Sequence, residues 1–166
     1  MKQTIPGGLR VRSIRTMVIY NKERIQIIMT MLNFANHILA VAYENNLSIS
    51  NTQLHKVMYF VMREQKDNYE LLSKMYDEPF YIWRYGPVIP KIYRKFRIYG
   101  ASSIIEKGKR DDNYSVFDES IIKLLNEETS SLISKSREHT YWLSNKDKII
   151  KGTSDIKYRL EDVLGE

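Results

Sequence analysis

Two successive stretches of helical apolar spacing constrain this chain most. Between about 23 and 45, Ile25, Ile28, Met29, Leu32, Leu39, Ala42 and Tyr43 approximate i, i+3, i+4, i+7 spacing. Ile27, Met31, Phe34, Ile38 and Val41 widen that stripe until most of the circumference is apolar. A helix of that kind is expected at the centre of a bundle. Asn45-Asn46 supplies its stop. The next helix starts at Ser50 as N-cap, with Gln53 three residues on in the capping-box pattern. It buries Leu54, Val57, Met58, Val61 and Met62 and ends in the charged run 63–67. Residues 69–76 read as a further short helix, with Leu71, Leu72 and Met75 inward.

The texture then changes. Seven of the twelve tyrosines lie between 59 and 99, and Phe80 to Tyr85 is aromatic and β-prone. That predicts a short strand ended by Gly86-Pro87. Trp83 and Tyr85 alternate with Arg84, so one side of the strand is expected to pack on Tyr59 and its helix. Pro90 suits a helix start over about 90–99, with Ile92, Tyr93, Phe96 and Tyr99 inward and Gly100 at its end. Residues 102–105 and 114–117 flank a polar, turn-rich connection and predict a small hairpin. Asp118 is expected to cap a helix of 118–134, and 140–143 to form one helical turn. Thr153 or Ser154 is expected to cap a last helix reaching 164. The sum is a mainly α class: a compact helical domain over 23–166 with one small β-strand or hairpin element, preceded by a basic extension over 1–22.

Charge is unevenly spread. Residues 1–30 hold six bases and one acid, while 31–166 hold 20 bases and 19 acids, so the net +6 belongs mostly to the N-terminus. Pro6-Gly7-Gly8 breaks any element there. Two readings stay open: an arm without structure or an artefact of start-site choice, with Met17 and Met29 as alternative starts, or a basic arm that touches phosphates. The lack of a body-wide basic face weakens a simple nucleic-acid reading. The absence of cysteine removes disulfides and thiolate metal sites. No apolar run reaches the roughly 18 residues of a membrane span. No signal-peptide apolar region follows the N-terminal bases. Together these give a cytoplasmic expectation.

Chemistry-bearing motifs are sparse. His37, His55 and His139 stand apart, outside any HExxH spacing, and read as surface or half-buried residues. Neither a nucleophile elbow nor a phosphate-binding glycine loop is present. The expectation is a non-enzyme with no catalytic residues, metal or cofactor. The feature above background is 81–100, YIWRYGPVIPKIYRKFRIYG. It carries Arg84, Lys91, Arg94, Lys95 and Arg97 among aromatics, and 79–105 contains no acid. Three readings stay open here. The aromatics can be core with the bases as a solvated face. The edge can be a protein interface, where Tyr, Trp and Arg are favoured anchors. It can also hold nucleic acid by phosphate pairing and stacking.

The same segment resembles a known family. Leu54-His55-Lys56-Val57-Met58-Tyr59-Phe60 is similar to the L-x-K-L-L-Y-F helix of the Panacea domain, found in SocA-like and phage-associated proteins. Residues 78–90, with Trp83, Tyr85, Gly86, Pro87, Val88 and Pro90, resemble its F-x-A-W-x-Y-G-P-V-x-P signature. Tyr93 and Phe96-x-x-Tyr99-Gly100 match its next helix, and the likeness covers about 30–145. Tyr81-Ile82 departs from the small residue before the Trp, and 139–142 echoes a C-terminal Thr…Pro-Trp region without the Pro. The resemblance implies a small helical bacterial or phage protein on a mobile element. It implies an antitoxin-like module that neutralises a partner, a cognate toxin or a host protein, by direct contact. One branch is similar to proteolysis adaptors. Competing readings are a DNA-binding transcriptional regulator and a phage-encoded inhibitor of bacterial defence. The partner-binding expectation falls on Arg84, Tyr85, Lys91, Arg94, Lys95, Arg97 and Tyr99. Leu54, Lys56, Tyr59, Trp83, Gly86, Pro87, Val88, Pro90, Tyr93 and Gly100 are expected to shape the platform.

Overall fold

A computed structural model describes residues 28–165. The extension over 1–22 and the first residues of the predicted 23–45 helix lie outside the described residues. Helix α1 spans Met31–Glu44, and its start is fixed by chemistry. Thr30 is extended, its hydroxyl accepts from the Asn33 amide at 3.0 Å, and Asp77 Oδ1 accepts from the Met31 amide at 2.8 Å. The helix therefore begins at 31 and leaves Ile28 outside it. Asn45 and Asn46, the latter at φ +54°, end it as expected.

Helix α2, Asn51–Glu64, is the hub, packed against α1, the strand over 86–88 and the helices over 90–96, 118–125, 129–138 and 160–164. The apolar stripe had pointed to α1 as the centre. The reason for the difference is that α2 also buries Asn51, Gln53, His55 and Lys56, which interrupt its apolar pattern. Each of the four reaches a backbone carbonyl. Asn51 Nδ2 donates to Tyr93 O, Gln53 Nε2 to Leu125 O and Lys56 Nζ to Pro87 O, while His55 meets Asn51 O and Ile89 O. Buried polar groups are tolerated when so paired. Ser50 caps the helix as predicted, but the Gln53 amide goes to Leu125 instead of closing a capping box.

Helix α3, Tyr69–Met75, buries Leu72 and Met75. Strands β1, Tyr81–Trp83, and β2, Gly86–Val88, form an antiparallel hairpin with Ile82 opposite Pro87. Gly86-Pro87 is thus the second strand and not only a terminator. Gly86 sits at φ +93°, which closes the reversal over Arg84-Tyr85. The expected hairpin over 102–117 is replaced by other structure. Ile104 pairs with Ile49 through one bond, and 112–117 is a 3-10 helix. Between them Gly108, at φ +66°, presses on α1 so closely that a Cβ would lie 2.8 Å from the Ala40 nitrogen.

Helix α4, Pro90–Phe96, runs into a 3-10 turn over 97–99 and ends at Gly100, as read. The predicted 118–134 helix is two: α5, Asp118–Leu125, and α6, Thr129–Glu138. The break at Asn126 is stabilised by its Nδ2 donating to Ile122 O. Asp118 does not cap α5, because its carboxylate is committed to His37 and Arg110. Helix α7 is Thr140–Asn145, and α8 is only Leu160–Leu164. Residues 152–158 run extended beside β1, with Ile82 N to Ile156 O and Tyr158 N to Phe80 O at 2.9 and 2.8 Å. Ser154 therefore caps no helix; its hydroxyl donates to Ile82 O at 2.6 Å.

The protein is mainly α with a small β element. One contiguous apolar cluster runs from Met31 to Leu164, with α2 at its centre. Among the described residues, no helix is long and apolar enough to cross a membrane.

Candidate functional site

The hairpin is held from three sides. Lys56, fully buried on α2, donates to Pro87 O at 2.7 Å. Trp142 on α7 donates its indole N–H to Trp83 O at 2.9 Å. The 152–158 segment supplies Gly152 O to the Arg84 amide at 2.9 Å. A Cβ on Gly86 would collide with the Ser136 hydroxyl of α6 and come within 3.1 Å of Lys56 Cε. Only glycine satisfies both that approach and the left-handed φ. This gives physical roles to Lys56, Gly86 and Pro87. Leu54, Tyr59 and Val88 are buried beside them, while Tyr93 and Pro90 are half-buried.

Burial strips water from the Lys56 ammonium and lowers its pKa to about 7. His55 next to it is lowered to about 4, first by burial and further by the Lys56 charge. The shorter of its two contacts, 2.8 Å to Asn51 O, marks Nδ1 as the donor. Neither residue has an acidic neighbour at ion-pair distance among the described residues.

Trp83 divides two cavities. One, about 440 Å³, is walled by Trp83, Tyr85, Val88 and Tyr93, with Arg84, Lys151 and Lys56 as its cations. The other, about 360 Å³, is lined by Trp83, Lys91 and Arg94 but also by Glu78 and Asp155. Trp83 meets the Tyr93 ring edge-on at 5.2 Å. It does not pack on Tyr59, whose ring lies against Phe80, Tyr158 and His139. The strand geometry explains this, because Phe80 and Ile82 take the buried positions and Phe80 meets Tyr59.

Of the seven residues expected to meet a partner, Arg84, Tyr85, Lys91 and Arg94 gather around these cavities. Lys95, Arg97 and Tyr99 line neither one. Lys91 pairs with Glu78 at 2.8 Å, and Tyr99 donates to Glu106 at 3.2 Å. Acids just outside 79–105 thus fold back on part of the basic run. Arg84, Arg94, Lys95 and Arg97 are exposed and form no ion pair among the described residues. Arg84 lies over the Tyr85 ring at 5.5 Å and Lys95 over Phe96 at 5.4 Å. Ile98, 84% exposed, stands beside Arg97.

Sequence reasoning missed Lys151 and Gly152. The Lys-Gly pair was the available turn signal, and Lys151 does sit at φ +52°. It also misjudged the histidines. His37 and His55 are fully buried, and only His139 is half-buried. His37 Nδ1 accepts from the Asp111 amide, so Nε2 carries the proton that goes to Asp118 at 2.7 Å. His139 Nδ1 and the Tyr59 hydroxyl share a hydrogen bond of 2.9 Å, beside a third cavity of about 500 Å³ that Arg63 and Asp162 also line. Burial and the Arg63 charge lower His139 to about 4, and burial raises Tyr59 to about 12. No group of three His, Asp or Glu suited to a metal occurs among the described residues.

A family model described as "Antitoxin SocA-like, Panacea domain" matches residues 54–155, more than half of the chain. The match runs from Leu54 on α2 through the hairpin to the extended segment that flanks it. No curated protein and no solved structure matches the chain.

Proposed function

Because this chain belongs to the antitoxin SocA-like family built on the Panacea domain, we propose that it is a non-enzymatic binding module. It neutralises a partner protein, a toxin or a host factor, by direct contact. The observation that carries this reading is the exposed edge around Trp83. Arg84 and Tyr85 are displayed there on a hairpin fastened by Lys56, Trp142 and Ser154, Arg94 lines the neighbouring cavity, and Lys95, Arg97 and Ile98 are exposed farther along the following helix and turn. A fastened edge loses little conformational entropy on binding. Arg and Tyr beside an exposed Ile suit a protein face better than a phosphate backbone, which gains nothing from Ile98.

The test is co-expression with the product of the neighbouring gene, followed by pull-down and gel filtration. A co-eluting complex and relief of that product's toxicity are expected. No complex with that product, or with any host protein, refutes the reading. A steeply salt-dependent shift of the chain's own upstream DNA, measured from about 50 mM salt upward, would instead support a regulator.

A further inference from the structure

We infer that the 440 Å³ cavity beside the hairpin seats an apolar side chain of the partner protein together with an adjacent carboxylate of the same segment. This rests on the protein-binding reading above and names what that surface recognises. Trp83, Tyr85, Val88 and Tyr93 make apolar walls, and no acid is among the lining residues. Three cations border it. Arg84 and Lys151 are exposed and unpaired with any acid among the described residues. Lys56 at its floor has, among the described residues, only the neutral Pro87 carbonyl as acceptor.

The field of a buried cation without a counter-ion is poorly screened, so it favours an anion in the adjoining space. The cavity across Trp83 shows the contrast, because two acids, Glu78 and Asp155, line it beside Lys91 and Arg94, and Glu78 is paired with Lys91. Size then decides the occupant. A volume of about 440 Å³ is in the range of ligand pockets and too large for a carboxylate alone. An aromatic or large aliphatic side chain fills the walls, and a neighbouring Asp, Glu or chain-terminal carboxylate meets the cations. The chain's own N-terminal 27 residues are a poor occupant, since they carry six bases and one acid.

The experiment titrates the isotope-labelled full chain with the blocked peptide Gly-Phe-Glu-Gly, using Gly-Phe-Lys-Gly and Gly-Ala-Glu-Gly as controls, and follows backbone amides by NMR. Saturable shifts at Trp83, Arg84, Tyr85 and Gly152 are expected, with affinity on the order of 1 mM and at least about tenfold loss for either control. T52W fills the cavity from the half-buried Thr52 position on α2, which lines it, and should abolish the shifts. Lys151→Asn removes a cation while suiting the left-handed backbone, and should weaken binding about threefold or more. No saturation by about 10 mM, or equal binding of the Lys peptide, overturns the inference. With a captured partner the two ideas separate. If T52W and Lys151→Asn bind it as wild type does, the cavity inference falls and the antitoxin-like reading stands. If wild type captures no partner, the reading falls and takes the inference with it.

Discussion

Between pH 7 and 9 the folded state should gain about 2 kcal/mol of stability, and Lys56 is the reason. Its ammonium is fully buried, hydrogen-bonded to Pro87 O, and lowered to about 7 by desolvation. In the unfolded chain the same group keeps an ordinary lysine pKa near 10.4. The unfolded state therefore binds more protons throughout the interval, and stability rises with pH there. At pH 7 the folded lysine is half protonated, and by pH 9 it is almost wholly neutral. One full proton of difference is worth about 1.4 kcal/mol per pH unit, so two units starting from half a proton integrate to about 2 kcal/mol. Below about pH 6 both states hold the proton and this dependence ends.

The window is clean on both sides. His55 and His139 are lowered from 6.5 to about 4, so what they add rises between those values and is complete above the upper one. Tyr59 and Tyr114 are raised to about 12, and Tyr76 and Tyr158 are raised also. Unfolded tyrosines ionise first, so stability declines only above about pH 10. The assay is urea unfolding at fixed ionic strength across pH 6 to 10, in wild type and in Lys56→Met. The variant loses the bond to Pro87 O, costing about 1–3 kcal/mol, yet sheds the burial cost of a charge, so its absolute stability is not diagnostic. Its slope is. Subtracting its curve removes every other group that titrates in the window, the α-amino group included. A flat wild-type curve from 7 to 9, or a rise of equal size in Lys56→Met, would refute the reasoning.

Further outcomes follow from other contacts. Gly86→Ala should cost about 2–4 kcal/mol in urea unfolding, since it combines a left-handed φ with a collision at Ser136; a loss below about 0.5 kcal/mol contradicts the close approach. Asp118→Ala should cost about 1–3 kcal/mol by stranding the buried His37 Nε2–H and freeing Arg110, which bonds the same carboxylate at 2.7 and 2.9 Å. An undiminished unfolding midpoint would show that this link between α1 and α5 is dispensable. Reversing Arg94, Lys95 and Arg97 to Glu should slow association with the captured partner about tenfold at low salt, read by stopped flow, because exposed charges act mainly on encounter. Reversing Lys91, already paired with Glu78, should do less, and the opposite order would move the partner to another face.

The family motif was legible in the sequence because its residues obey local rules. Ser50 caps, Pro90 opens a helix, Gly100 ends one, and the aromatic run before Gly86 favours a strand. Those are choices within a few residues, and the mainly α class follows from them. The aromatic-basic segment was visible for the same reason, as a run without acids.

What only the tertiary structure decided is who meets whom. Periodicity registers apolar burial, so it pointed to α1 as the centre and overlooked a hub that buries Lys56 and His55. Those side chains are tolerated inside because carbonyls are brought to them, Asn51 O from one helical turn away for His55 and Pro87 O from more than thirty residues away for Lys56. The second strand, the flanking 152–158 segment and the uncompensated cavity arise likewise from backbone and charge pairings between distant stretches. No local propensity encodes such pairings. The sequence alone determined the mainly α class and the motif; long-range hydrogen bonding and desolvation decided that the motif's lysine lies buried beneath the surface it supports.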